Sequence, residues 1–261
     1  MGSGNVDLQM RADVAEGYTS SSQKIRVITE DWVSRNMYCP CCGNPQIQHY
    51  ENNRPVADFF CPQCQEEYEL KSKAGAIGTK ICDGAYNTMI SRINSICNPN
   101  FFFMHYGKVD LTVHDLIMVP KHFFTPDIIE QRKPLAQTAR RAGWVGCNIA
   151  IQKIPQEGKI YLIKNKKQMP VDDVLNKLRK TRFIAKYGLE ARGWILDIFN
   201  CVNRIPCQEF ALDDLYAFEN ELQRKHPQNH HVKDKIRQQL QLLRDKGLVE
   251  FRGRGNYRKI E

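Results

Sequence analysis

The sequence predicts an α/β domain built on a central mixed sheet, with a cysteine-pinned hairpin inside it and a smaller winged helix at the C-terminus. Three observations carry this. Strand-like apolar runs alternate with helical patterns over the first two thirds of the chain. Five of the ten cysteines, Cys39, Cys41, Cys42, Cys61 and Cys64, crowd together. From Gly193 onward the pattern changes to three helices and a basic hairpin.

The composition supports a folded protein: 261 residues, 42% hydrophobic and 26% charged, with a net charge of +9. No apolar run approaches the roughly 18 residues of a membrane span. The opening MGSGNVDLQM lacks the apolar core of a signal peptide. The expectation is a cytoplasmic protein with no membrane partner, whose thiols stay reduced.

Taken in order, residues 20–36 read as a helix, with Ile25, Ile28, Trp32 and Val33 on one face. Residues 55–72 read as a hairpin running from Val56, Asp58 and Phe60 through a cysteine turn to Tyr68–Lys71. Further strands are expected at 101–104, 116–119 and 159–163, and a helix at 86–96. Residues 164–192 read as a basic linker with one helix. The C-terminal helices are placed at 194–202, 211–225 and 230–246, the last with Val232, Ile236, Leu240 and Leu243 on its buried face and Gly247 as its stop. A hairpin over 248–260 with the tip Arg252-Gly-Arg-Gly-Asn256 completes a winged helix. The domains fall at 1–188 and 189–261.

Cys39-x2-Cys42 and Cys61-x2-Cys64, 18 residues apart, fit a four-thiolate Zn(II) template. A redox pair would need only one such motif. Cys41 is an alternative to Cys42 with poorer knuckle spacing and reads as a spare thiol.

The second knuckle lies within Asp58-x10-Glu69-Leu70-Lys71. Strand alternation puts Glu69 and Lys71 on one face. Asp58 and Glu69 offer hard oxygens to Mg(II), with Leu70 the third expected position at that ion. Lys71 is placed to orient or deprotonate a water, or to offset charge on a phosphorane. Glu66 and Glu67 are alternative acids, but neither has a lysine two residues on. Ordinary surface charges can produce the same short pattern.

Segments including YCPCCGN, ENNRPVADFFC, ELKSK, TARRAGWVGCNI and KIRQQLQLLRDKGLVEFRGRGNYRK closely resemble the DpnI-like methyl-adenine-dependent restriction endonucleases, from about Ser22 to Lys259. The resemblance implies a PD-(D/E)xK nuclease domain with a zinc knuckle and a C-terminal winged helix. It also implies Mg(II)-dependent cleavage of double-stranded DNA at GATC with N6-methylated adenine, blunt between the methyl-adenine and the thymine. Asp58, Glu69 and Lys71 then take the catalytic roles, and Cys39, Cys42, Cys61 and Cys64 the zinc. Ala57 stands where such nucleases often carry proline, a position that is not a ligand.

Candidate DNA contacts come from both domains. Arg140 and Arg141 flank Trp144, an aromatic surface for methyl groups in the major groove. On the third C-terminal helix they are Asn229, His230, His231, Lys233 and Arg237, and on the wing Arg252 and Arg254. Nine Lys/Arg against four acids from Lys233 to Glu261 support a nucleic-acid face. His226, His230 and His231 read as exposed polar residues more readily than as metal ligands. The competing interpretation is a zinc-stabilised transcription regulator, which would not need Asp58 opposite Glu69-x-Lys71. The chain is expected to act as a monomer.

Overall fold

The computed structural model describes residues 6–51, 57–95 and 98–260. Arg54, Pro55 and Val56, which open the expected hairpin motif, lie outside the described residues, as do Ile96 at the expected helix end and Glu261.

The first domain opens with α1 (Ser21–Asn36), followed by the short strands β1 (Gln48–His49) and β2 (Phe59–Phe60) and the long β3 (Glu67–Ala74). Next come β4 (Ile81–Ala85), α2 (Tyr86–Asn94), β5 (Asn100–Tyr106) and β6 (Val113–Val119). After them lie β7 (Ile129–Gln131), β8 (Gly146–Ile149), β9 (Ile160–Lys164), β10 (Lys167–Gln168) and α3 (Val171–Thr181). Seven strands form one sheet in the order β1-β2-β3-β5-β6-β9-β10. Only β3 and β5 run parallel in it, joined through β4 and α2. A separate antiparallel sheet has the order β4-β8-β7.

Alternation along the strands gives the main sheet two dry faces. Tyr68, Phe102, Met104, Leu116 and Met118 pack under Ile28, Trp32 and Val33 of α1 and Val174 and Leu178 of α3. Phe101, Phe103, Ile117 and Val119 face Met89 and Ile93 of α2. The parallel pairing of β3 with β5 sets Glu69 beside Phe101 and Lys71 beside Phe103, so both charged side chains belong to the second face.

The second unit consists of α4 (Leu189–Arg204), β11 (Glu209–Ala211), α5 (Leu212–Tyr216), α6 (Glu219–Lys225), α7 (Val232–Asp245), β12 (Val249–Gly253) and β13 (Asn256–Lys259). Val232, Ile236, Leu240 and Leu243 are buried, as expected for α7. Gly247, at φ +67°, ends that helix, and Leu248 N–H bonds to Leu243 O. The unit is not sealed off from the first domain. Trp194, Ile195 and Ile198 of α4 share one buried cluster with Phe123, Phe124 and Ile154.

Four expectations need correction. The first C-terminal helix begins at Leu189, and Gly193 lies inside it; burial of the α4 face offsets the roughly 1 kcal/mol that an interior glycine costs. The helix expected over 211–225 is two helices, because Phe218 leaves helical geometry (ψ 2°) and seats its ring 4.6 Å from the Arg204 guanidinium. The wing has an extra strand, β11, paired with β13. Asp58 is not on a strand but immediately precedes β2.

Candidate active site and metal centre

Asp58 leaves the strand because its carboxylate replaces a strand. The pairing of β2 with β3 ends at Phe59–Tyr68. Beyond it Asp58 N–H donates to Tyr68 O (2.9 Å) and Leu70 N–H donates to Asp58 Oδ2 (2.7 Å). The side chain is thereby locked against the main chain of the Glu-Leu-Lys motif.

Glu69 and Lys71 share a face, and Lys71 Nζ lies 2.6 Å from Glu69 Oε1. It also lies 2.5 Å from Asp83 Oδ1, on β4, whose side chain is 4% exposed. Arg92 of α2 reaches Glu69 Oε2 at 3.2 Å. Sequence reasoning missed both Asp83 and Arg92. Neither has a local motif, and both reach the site only because β4 and α2 form the crossover between the parallel strands.

The electrostatics follow from burial. Desolvation pushes the Asp58 carboxyl above its usual range, although the Leu70 N–H opposes the shift. Desolvation raises Glu69 as well, against the attraction of Lys71. For Lys71 burial would favour the neutral amine, but Glu69 and Asp83 outweigh it and hold the group as an ammonium. A buried lysine between two carboxylates can offset developing negative charge; in this state it is no base.

On the opposite face of β3, Cys39, Cys42, Cys61 and Cys64 bring their sulfurs within 4.8 Å of one another. The closest pairs are Cys39–Cys64 at 3.5 Å and Cys42–Cys61 at 3.6 Å. A tetrahedral Zn(II) about 2.3 Å from each sulfur sets edges of roughly 3.8 Å, so the cluster could hold that ion with little adjustment. Each knuckle is a matched turn. Gly43 N–H bonds to Cys39 O (2.8 Å) and Gln65 N–H to Cys61 O (2.9 Å), with Gly43 at φ +81° and Gln65 at φ +59°. Cys41 stands outside the cluster. Tyr68, also unforeseen, brings its hydroxyl 3.0 Å from Cys39 Sγ and stacks on Phe102 in the core.

Trp144 is half-buried in the loop between β7 and β8, with the exposed Arg141 guanidinium 4.7 Å from its ring. A Cβ on Gly146 would approach that ring to 2.8 Å, so a larger residue there would displace the indole. Arg140 is exposed nearby in sequence. The loop is tied to the carboxylate cluster through β8, where Cys147 pairs with Asp83.

At the start of α7, His230, His231 and Lys233 are exposed. Asn229 also supports the turn, its Oδ1 accepting the His231 N–H (2.9 Å). Arg237 is paired with Asp234 and Tyr216, and Arg252 with Glu250 (2.8 Å). Arg254 is exposed at the wing tip at φ +49°. His226 is structural: it stacks on Trp194 (centroids 3.8 Å apart) and bonds Asp197 at 2.8 Å. The structure therefore gathers Asp58, Glu69, Leu70 and Lys71 in one place, while the candidate DNA contacts form two further groups.

Residues 6–187 match the family model DpnI, described as the Dam-replacing family. Residues 190–259 match the model DpnI_C, described as the Dam-replacing HTH domain. No helix among the described residues is long and apolar enough to cross a membrane.

Proposed function

The chain belongs to the DpnI, or Dam-replacing, family, and from that premise we propose that it is a methylation-dependent type II restriction endonuclease, cutting double-stranded DNA at GATC sites that carry N6-methyladenine. The observation that carries this reading is Lys71 Nζ held between Glu69 (2.6 Å) and Asp83 (2.5 Å), one residue from Leu70, whose N–H Asp58 accepts. Burying such charges costs several kcal/mol per ion before pairing. A DNA-binding regulator has no use for that arrangement, whereas phosphodiester hydrolysis does.

In this reading the site is of the PD-(D/E)xK type, with Asp58, Glu69 and Lys71 in the three roles. The donor atoms fit Mg(II): carboxylates of Asp58 and Glu69 and the main-chain oxygen of Leu70 are hard ligands, and burial gives the two carboxyls reason to share a cation. Bound there, Mg(II) would supply Lewis-acid polarisation of the phosphoryl group. Lys71 keeps its proton on Nζ and faces the charge that builds up as water attacks phosphorus. Asp83 fixes that ammonium from the far side. Arg92 restrains the Glu69 carboxylate.

Zn(II) in the four-cysteine cluster is structural in this proposal and holds the β2–β3 hairpin in register. The domains divide at 188/189, the chain works in the cytoplasm as a monomer, and both domains read the methylated site. Trp144 with Arg140 and Arg141 serves the first domain. The start of α7 and the wing, through Asn229, His230, His231, Lys233, Arg237, Arg252 and Arg254, serve the second. One plasmid prepared with and without adenine methylation tests the reading. The expected result is cutting of the methylated form alone, requiring Mg(II). Intact DNA in both samples, or full activity in EDTA, overturns it.

A further inference from the structure

A cleft of about 450 Å³ runs between α1 and the β3–β4 segment, with Lys71 in its lining. Its position follows from the sheet. Strand β2 pairs with β3 only as far as Tyr68, so from Leu70 onward no strand among the described residues lies beside that edge of β3. Among the described residues, Arg26, Lys71, Lys73 and Lys80 line the cleft against the single acid Glu30. Lys80 is occupied by Glu130 (2.5 Å). Lys73 makes no ion pair among the described residues and is exposed at the rim.

Arg26 is held in an unusual way for an α1 residue whose side chain is 56% exposed. Its Nε donates to Glu30 Oε1 at 2.6 Å, and Nη2 lies 3.8 Å from Asp58 Oδ1. Glu30 is itself 7% exposed and is bonded a second time, by His49 Nε2 at 3.2 Å. An ordinary surface i,i+4 pair contributes a few tenths of a kcal/mol and leaves both side chains mobile. Here the acid is buried and doubly fastened, so the guanidinium is aimed along the cleft beside Asp58 with N–H groups to spare. A planar donor fork fixed in advance suits a phosphodiester better than a free lysine does.

We propose that this cleft is the track for the sugar–phosphate backbone of the strand being cut, with Arg26 and Lys73 as its phosphate contacts and Glu30 as the positioning residue for Arg26. The proposal rests on the nuclease reading for the identity of the reacting centre. It gives the α1 cleft the backbone of the cleaved strand and leaves base contacts to other parts of the chain. Its signature is therefore insensitivity to sequence and sensitivity to salt.

Two measurements on the full chain separate this proposal from the nuclease reading. In single-turnover cleavage, Arg26→Ala should raise the half-saturating DNA concentration about 10-fold at fixed salt and lower the slope of its salt dependence by about 0.9. Arg26→Lys should keep the slope. Glu30→Gln should weaken saturation less than Arg26→Ala and also keep the slope, since the charge remains but is no longer aimed. Independently of cutting, acetylation of Lys73 read by mass spectrometry in EDTA should be suppressed by a duplex in the wild type and less so in Arg26→Ala. Protection of Lys73 in EDTA, with no cleavage once Mg(II) is supplied, would support the cleft and sink the nuclease. Absence of protection, or a folded Arg26→Ala with wild-type slope and saturation, overturns the cleft.

Discussion

The Tyr68 hydroxyl lies 3.0 Å from Cys39 Sγ, and the next residue along β3 is Glu69. One strand thus presents a donor to the four-cysteine cluster on one face and a carboxylate to Lys71 on the other. The phenol supports the thiolate charge that a bound metal requires, and the same ring is anchored on Phe102.

Tyr68→Phe should keep the fold and the stacking but weaken Zn(II) retention about 10-fold, in the range usual for outer-shell partners of a metal. Competition with a chromophoric chelator measures this directly. Unchanged zinc affinity would reduce Tyr68 to a core aromatic.

Removing either carboxylate proposed to hold Mg(II) should silence cleavage while sparing DNA binding. For Asp58→Ala and Glu69→Gln the expected loss in cleavage rate is at least about 10²–10³-fold, the range seen when one strong transition-state interaction is deleted. Asp83→Asn should also slow cutting, because Lys71 loses one of its two anchors. Normal rates in the Asp58 variant would sink the assignment.

Stability should fall in acid through His122. Its imidazole is buried, and Nε2 has no hydrogen-bond partner among the described residues. Burial, reinforced by Arg192, Lys121 and Arg182, lowers its pKa to about 3. Because the folded value lies below the unfolded one, near 6.5, the unfolded chain binds the extra proton between those two values. Its neutral burial is therefore fully tolerated above pH 6.5, and stability is lost as pH drops below it, by up to about 1.4 kcal/mol per unit. Urea melts at pH 7.5 and 5.0 should show a loss about 2 kcal/mol larger in wild type than in His122→Phe. Equal losses would place the acid sensitivity elsewhere.

Methylation should control cutting in the order full, hemi, none. If Trp144 receives the methyl groups as proposed, each would contribute roughly 1–2 kcal/mol, about 10-fold per group and on the order of 100-fold for two. Trp144→Ala should flatten the ranking without unfolding the chain, since the ring is only half-buried in a loop. Equal digestion of all three plasmid forms would leave a nuclease with some other specificity.

Much of this was legible before any coordinates, and for specific reasons. The apolar stripe Val232, Ile236, Leu240 and Leu243 is long enough to declare α7, and the double Cys-x2-Cys spacing declares the four-sulfur cluster. Both signals are local. Asp83 was invisible because its meaning depends on Lys71 across a loop and on the pairing of β4 with β8, and Ile-Cys-Asp-Gly-Ala has no periodicity of its own. The three-residue β11 is too short to carry a pattern. Arg26 and Glu30 look like any exposed helical pair until the tertiary fold buries the acid. Alternation alone extends the strand through Asp58, because it cannot show that a side chain has taken over a ladder bond.

The helix α4 belongs to two structures at once. Its residues Trp194, Ile195 and Ile198 are core for both the mixed sheet and the helix-turn-helix unit, and Asn200 and Asn203 fasten it to Lys153 O (2.8 Å) and Glu157 (3.0 Å). The C-terminal unit is therefore not an exchangeable cassette. A chimaera spliced at residue 188 would strip apolar surface from both halves, and each would be prone to aggregate. A splice after Arg204, leaving α4 with the nuclease, would instead orphan the face on which α7 packs. Recombination among relatives should for this reason exchange the whole chain, or single loops such as that of Trp144, rather than the terminal unit alone.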